Sequence, residues 1–368
     1  MTPHVKLNKR YWCGSNIKYK KCHLNREQQQ APDKSAIHKE LNRFNSYKKC
    51  SASTILHHQC SKKIVKAHSI SKSSSLNEIS VDGHVLTFFM AQRAKGNSEV
   101  GPVKIGINKA STFTGFCSFH DKSLFSPFED SPFDLSRHQC FLMMYRTVAR
   151  ELFTKESCQN MFGLMKDMDK GKDIIEQIYI QDSYHHFNGS NELTIADLTS
   201  VKRSLETMML SNDYSRLEHA IFKLDRSPSV MASAIGGVSF GFDGSIVQEI
   251  VNDPNRMPDY LCMNSFASDG KGYIVFSWLA EHKATNNKLI ESLINTRSIP
   301  DSILMLLISH IENIYLSPSW WTGLPEVSRS ELTELYKCGG MKDTYNDVLI
   351  TNKNYGAFEY NDFELLYS

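Results

Sequence analysis

The chain has 368 residues, of which 41% are hydrophobic and 22% charged, and this length allows one large domain or two to three smaller ones. No apolar run reaches the length of about 18 residues that a membrane helix needs, and the N-terminus MTPHVKLNKRYW has no apolar signal segment. We therefore expect no membrane span and no secretory signal. A cytoplasmic protein, with its nine cysteines mostly reduced, is the expectation.

The small net charge of +2 conceals an asymmetry along the chain. Residues 1–72 contain 16 Lys/Arg and 3 Asp/Glu, whereas the remainder contains 26 Lys/Arg and 37 Asp/Glu. A basic block joined to an acidic body indicates a polyanionic partner such as nucleic acid, or docking of the block on its own chain. A solvated, lysine-rich segment is the simpler alternative. A protein partner or a homo-oligomer is also compatible with this pattern, and a membrane partner is not expected.

Residue types that bind metals are concentrated in the first third of the chain. This segment contains five cysteines and eight histidines: Cys13, Cys22, Cys50, Cys60, Cys117, His4, His23, His38, His57, His58, His68, His84 and His120. Because the same segment has few long apolar runs, it cannot bury much core by itself. Metal ligation is a common way to stabilise such a segment.

The N-terminal elements are predicted to be short. Residues 1–30 form a basic arm around a cysteine-containing turn, and the polar residues 31–45 are predicted to be a linker. Residues 46–130 form the next module. In it we predict strands in KKIVKAHSI and HVLTFFMAQ, a turn at DGH, and a knuckle in GFCSFHDKSLFSPFE that leads into a helix.

Residues 131–368 have the pattern of a larger α+β domain. Apolar spacing predicts helices in SRHQCFLMMYRTVARELFTKESCQNMFGLMKDM, in residues 193–224, in PDSILMLLISHIENIYL and in SRSELTELYKCGG. Strands are predicted in SVMASAIGGVSFGFDG and on both sides of the turn DGKG. The predicted fold class is α+β, with small zinc-binding modules before a mixed domain of helices and antiparallel sheet. We assign no role to this domain, because it contains no phosphate loop, nucleophile elbow or other catalytic constellation.

One tryptophan pair and one histidine pair in this domain are predicted to have structural roles. Trp320 and Trp321 are predicted to anchor a loop in the core, although exposed tryptophans can also stack on bases. His185 and His186 are predicted to be polar residues at a helix end, since adjacent helical residues point in different directions.

The first metal-type motif runs from Tyr11 to His23. Its sequence YWCGSNIKYKKCH resembles the SEC-C motif, a family that holds zinc with Cys-x-Cys and a later Cys-Cys or Cys-His pair. The resemblance implies Cys13, Cys22 and His23 as zinc ligands, with Tyr11 at the first ligand position. A phenol is a poor zinc ligand at neutral pH, so either the site is degenerate or a residue such as His4 completes it. The alternative is a basic turn with two buried thiols.

The second motif combines two cysteine-containing elements about 60 residues apart. Cys50, Cys60, Cys117 and His120 are the candidate ligands of a four-ligand zinc site. The Cys117-x2-His120 spacing fits a zinc knuckle, whereas the gap between Cys50 and Cys60 is long for the other half. In place of Cys50, the alternatives are His57, His58 and His68.

Residues 50–125 also resemble the HNH, or ββα-metal, nucleases. The resemblance implies that His68, at a predicted strand end, is the general base, and that Asp121 in the segment FCSFHDK binds a catalytic Mg²⁺ or Mn²⁺. Three features depart from the family pattern. Ala67 precedes the base, the middle Asn has no clear counterpart, and Asp121 stands in place of a metal-binding histidine.

Two functional hypotheses follow from these motifs. One is a metal-dependent endonuclease of HNH-like type, and by analogy alone its arrangement resembles bacterial phage-defence effectors. The other is a non-catalytic protein, stabilised by zinc, that binds nucleic acid or protein. The role of His68 distinguishes the two hypotheses. It is the general base in the nuclease, whereas in a structural zinc site it is a metal ligand or a core histidine.

Overall fold

The structure is a computed structural model, and it describes residues 13, 17–88, 101–337, 339 and 346–366. The chain divides into two compact units. Unit 1 comprises Met1–Lys48 and Leu152–Ser200, and unit 2 comprises Lys49–Glu151 and Val201–Ser368. The boundary predicted near residue 130 therefore lies within unit 2. The two long helices α5, Arg137–Asp167, and α6, Ile174–Ser211, each contribute residues to both units.

Unit 1 is helical in its described residues. It contains α1 (Tyr19–Cys22), a 3₁₀ turn at Arg26–Gln28, α2 (Lys34–Asn45) and parts of α5 and α6. Most of the predicted linker 31–45 is thus helix α2. Asp33 begins this helix by accepting a hydrogen bond from the backbone N–H of Ala36 at 2.7 Å. No residue of α2 is fully buried, which explains why its sequence has the polar composition of a linker.

Unit 2 contains an antiparallel sheet of eight strands. Its strand order is β10-β5-β8-β7-β6-β9-β2-β3. The strands are β2 (His84–Thr87), β3 (Val103–Gly106), β5 (Leu217–Leu224), β6 (Val230–Gly236), β7 (Leu261–Ser268), β8 (Lys271–Leu279), β9 (Ile314–Leu316) and β10 (Tyr360–Leu366). The mixture of helices with an antiparallel sheet confirms the predicted α+β class.

The hairpin between β7 and β8 forms where the sequence DGKG predicts it. Ser268 pairs with Lys271, and the two residues between them, Asp269 and Gly270, have φ values of 50° and 73°. Two consecutive left-handed residues match the right-handed twist of a tight hairpin, and Asp-Gly tolerates this conformation well.

The main core of unit 2 lies between the sheet and four helices. Alternate residues of β5 and β8, including Phe222 and Phe276, pack with Leu307 of α8 (Ile299–His310) and with Trp321. Trp320 donates its indole N–H to the carbonyl of Tyr355 at 2.9 Å, so the prediction that the Trp pair anchors the core is confirmed. The helices are α7 (Lys283–Ile294), α8 (Ile299–His310), α9 (Pro318–Gly323) and α10 (Glu326–Lys337).

A second, two-stranded sheet lies in the cysteine-containing part of unit 2. Strand β1, Ile64–His68, pairs antiparallel with β4, Thr112–Cys117, and helix α4, Ser118–Glu129, follows directly. We call residues 49–129 the ββα module. Strands β2 and β3 lie between β1 and β4 in sequence but join the large sheet. A short π turn at Lys72–Leu76 and helix α3, Asn77–Ile79, connect β1 to β2.

The helix predicted over residues 193–224 is wrong at both ends. Helix α6 begins well before this range, at Ile174, and the C-terminal part of the prediction is strand β5. Every residue of β5 except Lys223 is buried, on both faces of the sheet, so the apolar spacing of this strand cannot distinguish it from a helix. None of the helices in the described part of the chain is long and apolar enough to cross a membrane.

Candidate metal centres

Two groups of side chains in the described residues have the geometry of metal ligands. Centre 1 is formed by Cys13, Cys22 and His23. Centre 2 is formed by Cys50, Cys60, Cys117 and His120. Within each centre, the candidate ligand atoms lie within 4.8 Å of one another. Centre 1 belongs to unit 1 and centre 2 to unit 2.

The ββα module builds centre 2 from the ends of its secondary-structure elements. Cys50 lies in a segment that runs alongside β4, where the N–H of Ser51 donates to the carbonyl of Gly115 at 2.7 Å. Cys60 follows a 3₁₀ helix, Thr54–Gln59, which takes up the long gap between the first two cysteines. Cys117 is the N-cap of α4, and His120 lies in the first turn of that helix.

Two distances in centre 2 are close to those of a tetrahedral zinc site. The Sγ atoms of Cys50 and Cys117 both lie 3.3 Å from Nδ1 of His120. Zinc bonds of about 2.3 Å to sulfur and about 2.0 Å to nitrogen give a tetrahedral S···N edge of about 3.6 Å. The observed arrangement is slightly contracted relative to this edge. Three thiols and one imidazole are the donor set of a structural zinc site.

The histidines that were alternatives to Cys50 have other partners. His57 Nε2 lies 3.1 Å from the carbonyl of Ala52, and His58 Nδ1 lies 2.8 Å from the carbonyl of Ile55. His68 is not part of the centre. Cys50 is therefore the residue that the structure brings to the other three candidate ligands.

Two thiols of centre 2 differ in acidity. Burial raises the pKa of Cys117, but hydrogen bonds from the backbone of His120 and from Ser61 outweigh it and lower the pKa to about 5. Burial raises the pKa of Cys50 to about 11; backbone hydrogen bonds from Cys117 and Ala52 oppose this rise, and the thiol of Cys117 adds to it. Cys117 can therefore be a thiolate on its own, whereas a bound dication would favour deprotonation of Cys50.

Centre 1 has three candidate ligands in the described residues. The sulfur atoms of Cys13 and Cys22 are 3.7 Å apart, close to the S···S edge of about 3.8 Å expected for tetrahedral zinc. Cys13 and His23 are buried. Tyr11 and His4, the residues considered for the remaining ligand position, lie outside the described residues.

A carboxylate that the sequence motifs do not predict contacts centre 1. Asp169 accepts a hydrogen bond from Nε2 of His23 at 3.1 Å, although 146 positions separate the two residues. It also accepts hydrogen bonds from Arg26 and Gln181. Burial raises the pKa of Asp169, but its hydrogen bonds with His23, Arg26 and Gln181 outweigh burial and lower the pKa to about 2. His185, predicted to be at a helix end, lies within α6 and its Nε2 contacts the carbonyl of Cys13. No local sequence pattern marks Asp169.

His68 lies at the end of β1, where the sequence places the predicted general base. Its Nε2 atom is 3.3 Å from the carbonyl oxygen of Ile107, and burial lowers the pKa of the imidazole. A lowered pKa leaves this histidine neutral at pH 7, which is the form that can accept a proton. The structure thus places His68 in the same module as centre 2, but outside its ligand set.

Asp121, the predicted ligand of a catalytic cation, lies beside an arginine. Its Oδ1 atom is 3.8 Å from Nη2 of Arg146, and Nη1 of the same guanidinium donates to Glu129 at 2.8 Å. The side chain of Arg146 is 2% exposed and lies over the ring of Phe125, 4.0 Å from its centroid. A positive charge supplied by the chain is therefore already present next to Asp121. In the described residues, Asp121 belongs to no metal-ligand group.

We predict that the ionised form of Asp121 destabilises the folded protein. Burial raises the pKa of this carboxyl, and the favourable charge of Arg146 does not fully offset the effect. A carboxyl group whose pKa is higher in the folded than in the unfolded chain lowers the stability of the protein as the pH rises through the folded-state pKa. We expect Asp121→Asn to be at least as stable as wild type at pH 7, with an advantage that shrinks as the pH falls toward the usual carboxyl pKa. Thermal melts at several pH values measure this; a clear loss of stability at pH 7 would contradict it.

Comparison with known proteins identifies one part of the chain. Residues 12–25 match the family model described as the SEC-C motif, which confirms the resemblance seen in the sequence and coincides with centre 1. No curated protein matches the chain, and no solved structure matches it. These comparisons do not support the HNH resemblance of residues 50–125. The chain therefore carries a SEC-C motif and a second cluster of metal-type ligands in the ββα module.

Proposed function

We propose that this chain is a zinc-stabilised protein that binds nucleic acid through its ββα module without cleaving it. The complete ligand set of centre 2 carries the proposal. Four protein ligands leave no position for a substrate or a reactive water, so the metal would stabilise the module and take no part in a reaction. The guanidinium of Arg146 beside Asp121 supports the same conclusion, because it supplies the charge that a catalytic cation would otherwise supply.

The lysines of the ββα module support a polyanionic partner. Lys62 and Lys63 precede β1, Lys66 lies on it, and Lys109 lies in the turn before β4; all four side chains are exposed. Phe119, in the first turn of α4, is 42% exposed. The hydroxyl groups of Ser61, before β1, and Ser118, at the start of α4, form a 2.9 Å hydrogen bond, which joins these two segments. Lysines that contact phosphates, with an aromatic ring on which a base can stack, suit nucleic acid.

Salt-dependent binding tests this proposal. We expect wild type to bind DNA or RNA at low salt, and its affinity to fall steeply as salt is added. The triple variant Lys62→Ala/Lys63→Ala/Lys66→Ala should bind more weakly and reduce the slope of log K against log[salt] by up to about 3, since each phosphate contact contributes about 0.9. Fluorescence anisotropy with labelled duplex DNA and single-stranded RNA measures both quantities.

A matched control separates local contacts from net charge. Lys271→Ala/Lys283→Ala/Lys288→Ala removes three exposed lysines, one at the start of β8 and two on α7, all away from the ββα module in sequence. This variant should retain the wild-type slope. Absence of binding at about 50 mM salt, a concentration at which phosphate contacts are strong, would reject the nucleic-acid proposal.

A metal-dependent nuclease is the second candidate, favoured by one observation. The module has the order strand, strand, helix, with His68 at the end of the first strand and a lowered pKa suited to a general base. Incubation with plasmid DNA and with RNA in Mg²⁺ or Mn²⁺ tests it. Cleavage that is lost in His68→Ala but retained in His58→Ala, an exposed histidine of the same module, would establish the nuclease and replace the proposal above. The phage-defence analogy has no support in these contacts.

A further inference from the structure

The turn between α5 and α6 is attached to the SEC-C segment by a network of hydrogen bonds. Asp169 lies in this turn, and its side chain is 0% exposed. It contacts His23 and Arg26 from the N-terminal segment, and Gln181 of α6 donates to its Oδ2 atom at 2.8 Å. All of these residues belong to unit 1. A buried carboxylate with three donors is an organised group, whose position is determined by its partners.

We propose that Asp169 is the positioning residue of centre 1, and that through it a bound metal stabilises the turn between α5 and α6. The proposal rests on zinc binding at centre 1. A ligating histidine commonly donates its second ring N–H to a carboxylate, which holds the tautomer and the ring orientation. Because Nε2 of His23 is bonded to Asp169, Nδ1 is the nitrogen that would ligate the metal.

Backbone contacts extend this connection through the whole turn. The N–H of Gly171 donates to the carbonyl of Arg26 at 3.0 Å. Gly171 has a φ of +74°, and a Cβ at this position would lie 3.1 Å from the carbonyl oxygen of Gln29, so glycine allows the close approach. Gln181 donates to the carbonyl of Lys166 at 2.7 Å as well as to Asp169. These hydrogen bonds connect the segment that contains His23 and Arg26 with both ends of the turn.

A neighbouring aspartate provides a matched control. Asp167 lies in the same region and also accepts a hydrogen bond from Arg26, at 3.2 Å. Its side chain, however, is 44% exposed, and its described hydrogen bonds are to Arg26 and Lys170, with none to His23. Asp169→Asn and Asp167→Asn remove the same charge beside the same arginine, but only the first removes the carboxylate that contacts a metal ligand.

The experiment measures zinc affinity and local protection in the full chain. Zinc is withdrawn by a competing chelator while hydrogen exchange is followed by mass spectrometry in residues 17–28 and 166–174. We expect Asp169→Asn to bind the zinc of centre 1 with about 10–100-fold lower affinity than wild type, which is the typical loss when a hydrogen-bond partner of a metal ligand is removed. Asp167→Asn should bind this zinc with the affinity of wild type. In wild type, removing this zinc should also increase exchange in residues 166–174 but not in the β7–β8 hairpin.

Each result separates the inference from the proposal on which it rests. If wild type binds zinc at centre 1 and Asp169→Asn binds it equally well, the role of Asp169 is rejected while zinc binding stands. If wild type shows no zinc-dependent protection of residues 17–28, zinc binding at centre 1 fails and the inference fails with it. Should Asp169→Asn not fold, the wild-type exchange of residues 166–174 decides alone: no response to zinc removal overturns the coupling.

Discussion

Cys117→Ser is expected to remove the zinc ion of centre 2 and to destabilise the ββα module. Cys117 is the buried N-cap of α4 and lies 3.3 Å from His120, so its loss removes a ligand and changes the cap. Structural zinc sites in small peptides bind with about 10–16 kcal/mol, so we expect a loss of at least about 3 kcal/mol in the free energy of unfolding. Metal analysis and urea denaturation measure the two effects.

Cys158→Ser is the control for the loss of a thiol. Cys158 is a half-buried residue of α5 that belongs to neither metal-ligand group. This variant should keep the zinc content of wild type. If Cys117→Ser also kept that content and its stability, centre 2 would not be a zinc site.

Arg146→Met is expected to produce the second large effect. The guanidinium is almost fully buried between Glu129 and Asp121, and its removal leaves two carboxylates without their counter-charge. Breaking a buried ion pair by removing one partner typically costs about 3–5 kcal/mol. Because Glu129 and Asp121 are partly exposed, we expect the lower end of this range. Chemical denaturation, compared with wild type at pH 7, measures the loss.

Two further variants test the cause of this effect. Arg216→Met is the control, because the side chain of Arg216 is 53% exposed and pairs with Glu281 at the surface; this variant should cost about 1 kcal/mol or less. In the Arg146→Met background, Asp121→Asn should recover part of the lost stability, because it removes one of the uncompensated charges. An equal loss in Arg146→Met and Arg216→Met would reject the assigned role of Arg146.

The candidate ligands with short sequence spacing could be predicted from the sequence. Cys22 and His23 are adjacent, and Cys117-x2-His120 fits one turn at the start of a helix, so local geometry brings each pair together. The choice between Cys50 and the histidines of residues 57–58 could not be made in this way. It depends on the 3₁₀ helix Thr54–Gln59, which directs those histidines to backbone carbonyls.

Contacts between distant parts of the chain account for what the sequence did not reveal. Asp169 and Arg146 are single charged residues within helical segments or the turn between them, and nothing nearby distinguishes them from solvated charges. Their roles follow from contacts with residues that are 146 and 17 positions away. Likewise, strand pairing places β2 and β3 in the large sheet, although in sequence they lie inside the ββα module.

Zinc stoichiometry is the most direct test of the claim that each of the two centres binds one zinc ion. Native mass spectrometry of wild type, Cys22→Ser and Cys117→Ser, each purified from zinc-replete cells, counts the metal ions bound per chain. Two zinc ions are expected in wild type and one in each variant, with Cys22→Ser losing the ion of centre 1 and Cys117→Ser that of centre 2. A wild-type chain without zinc, with the cysteines of both centres open to alkylation, would contradict the account.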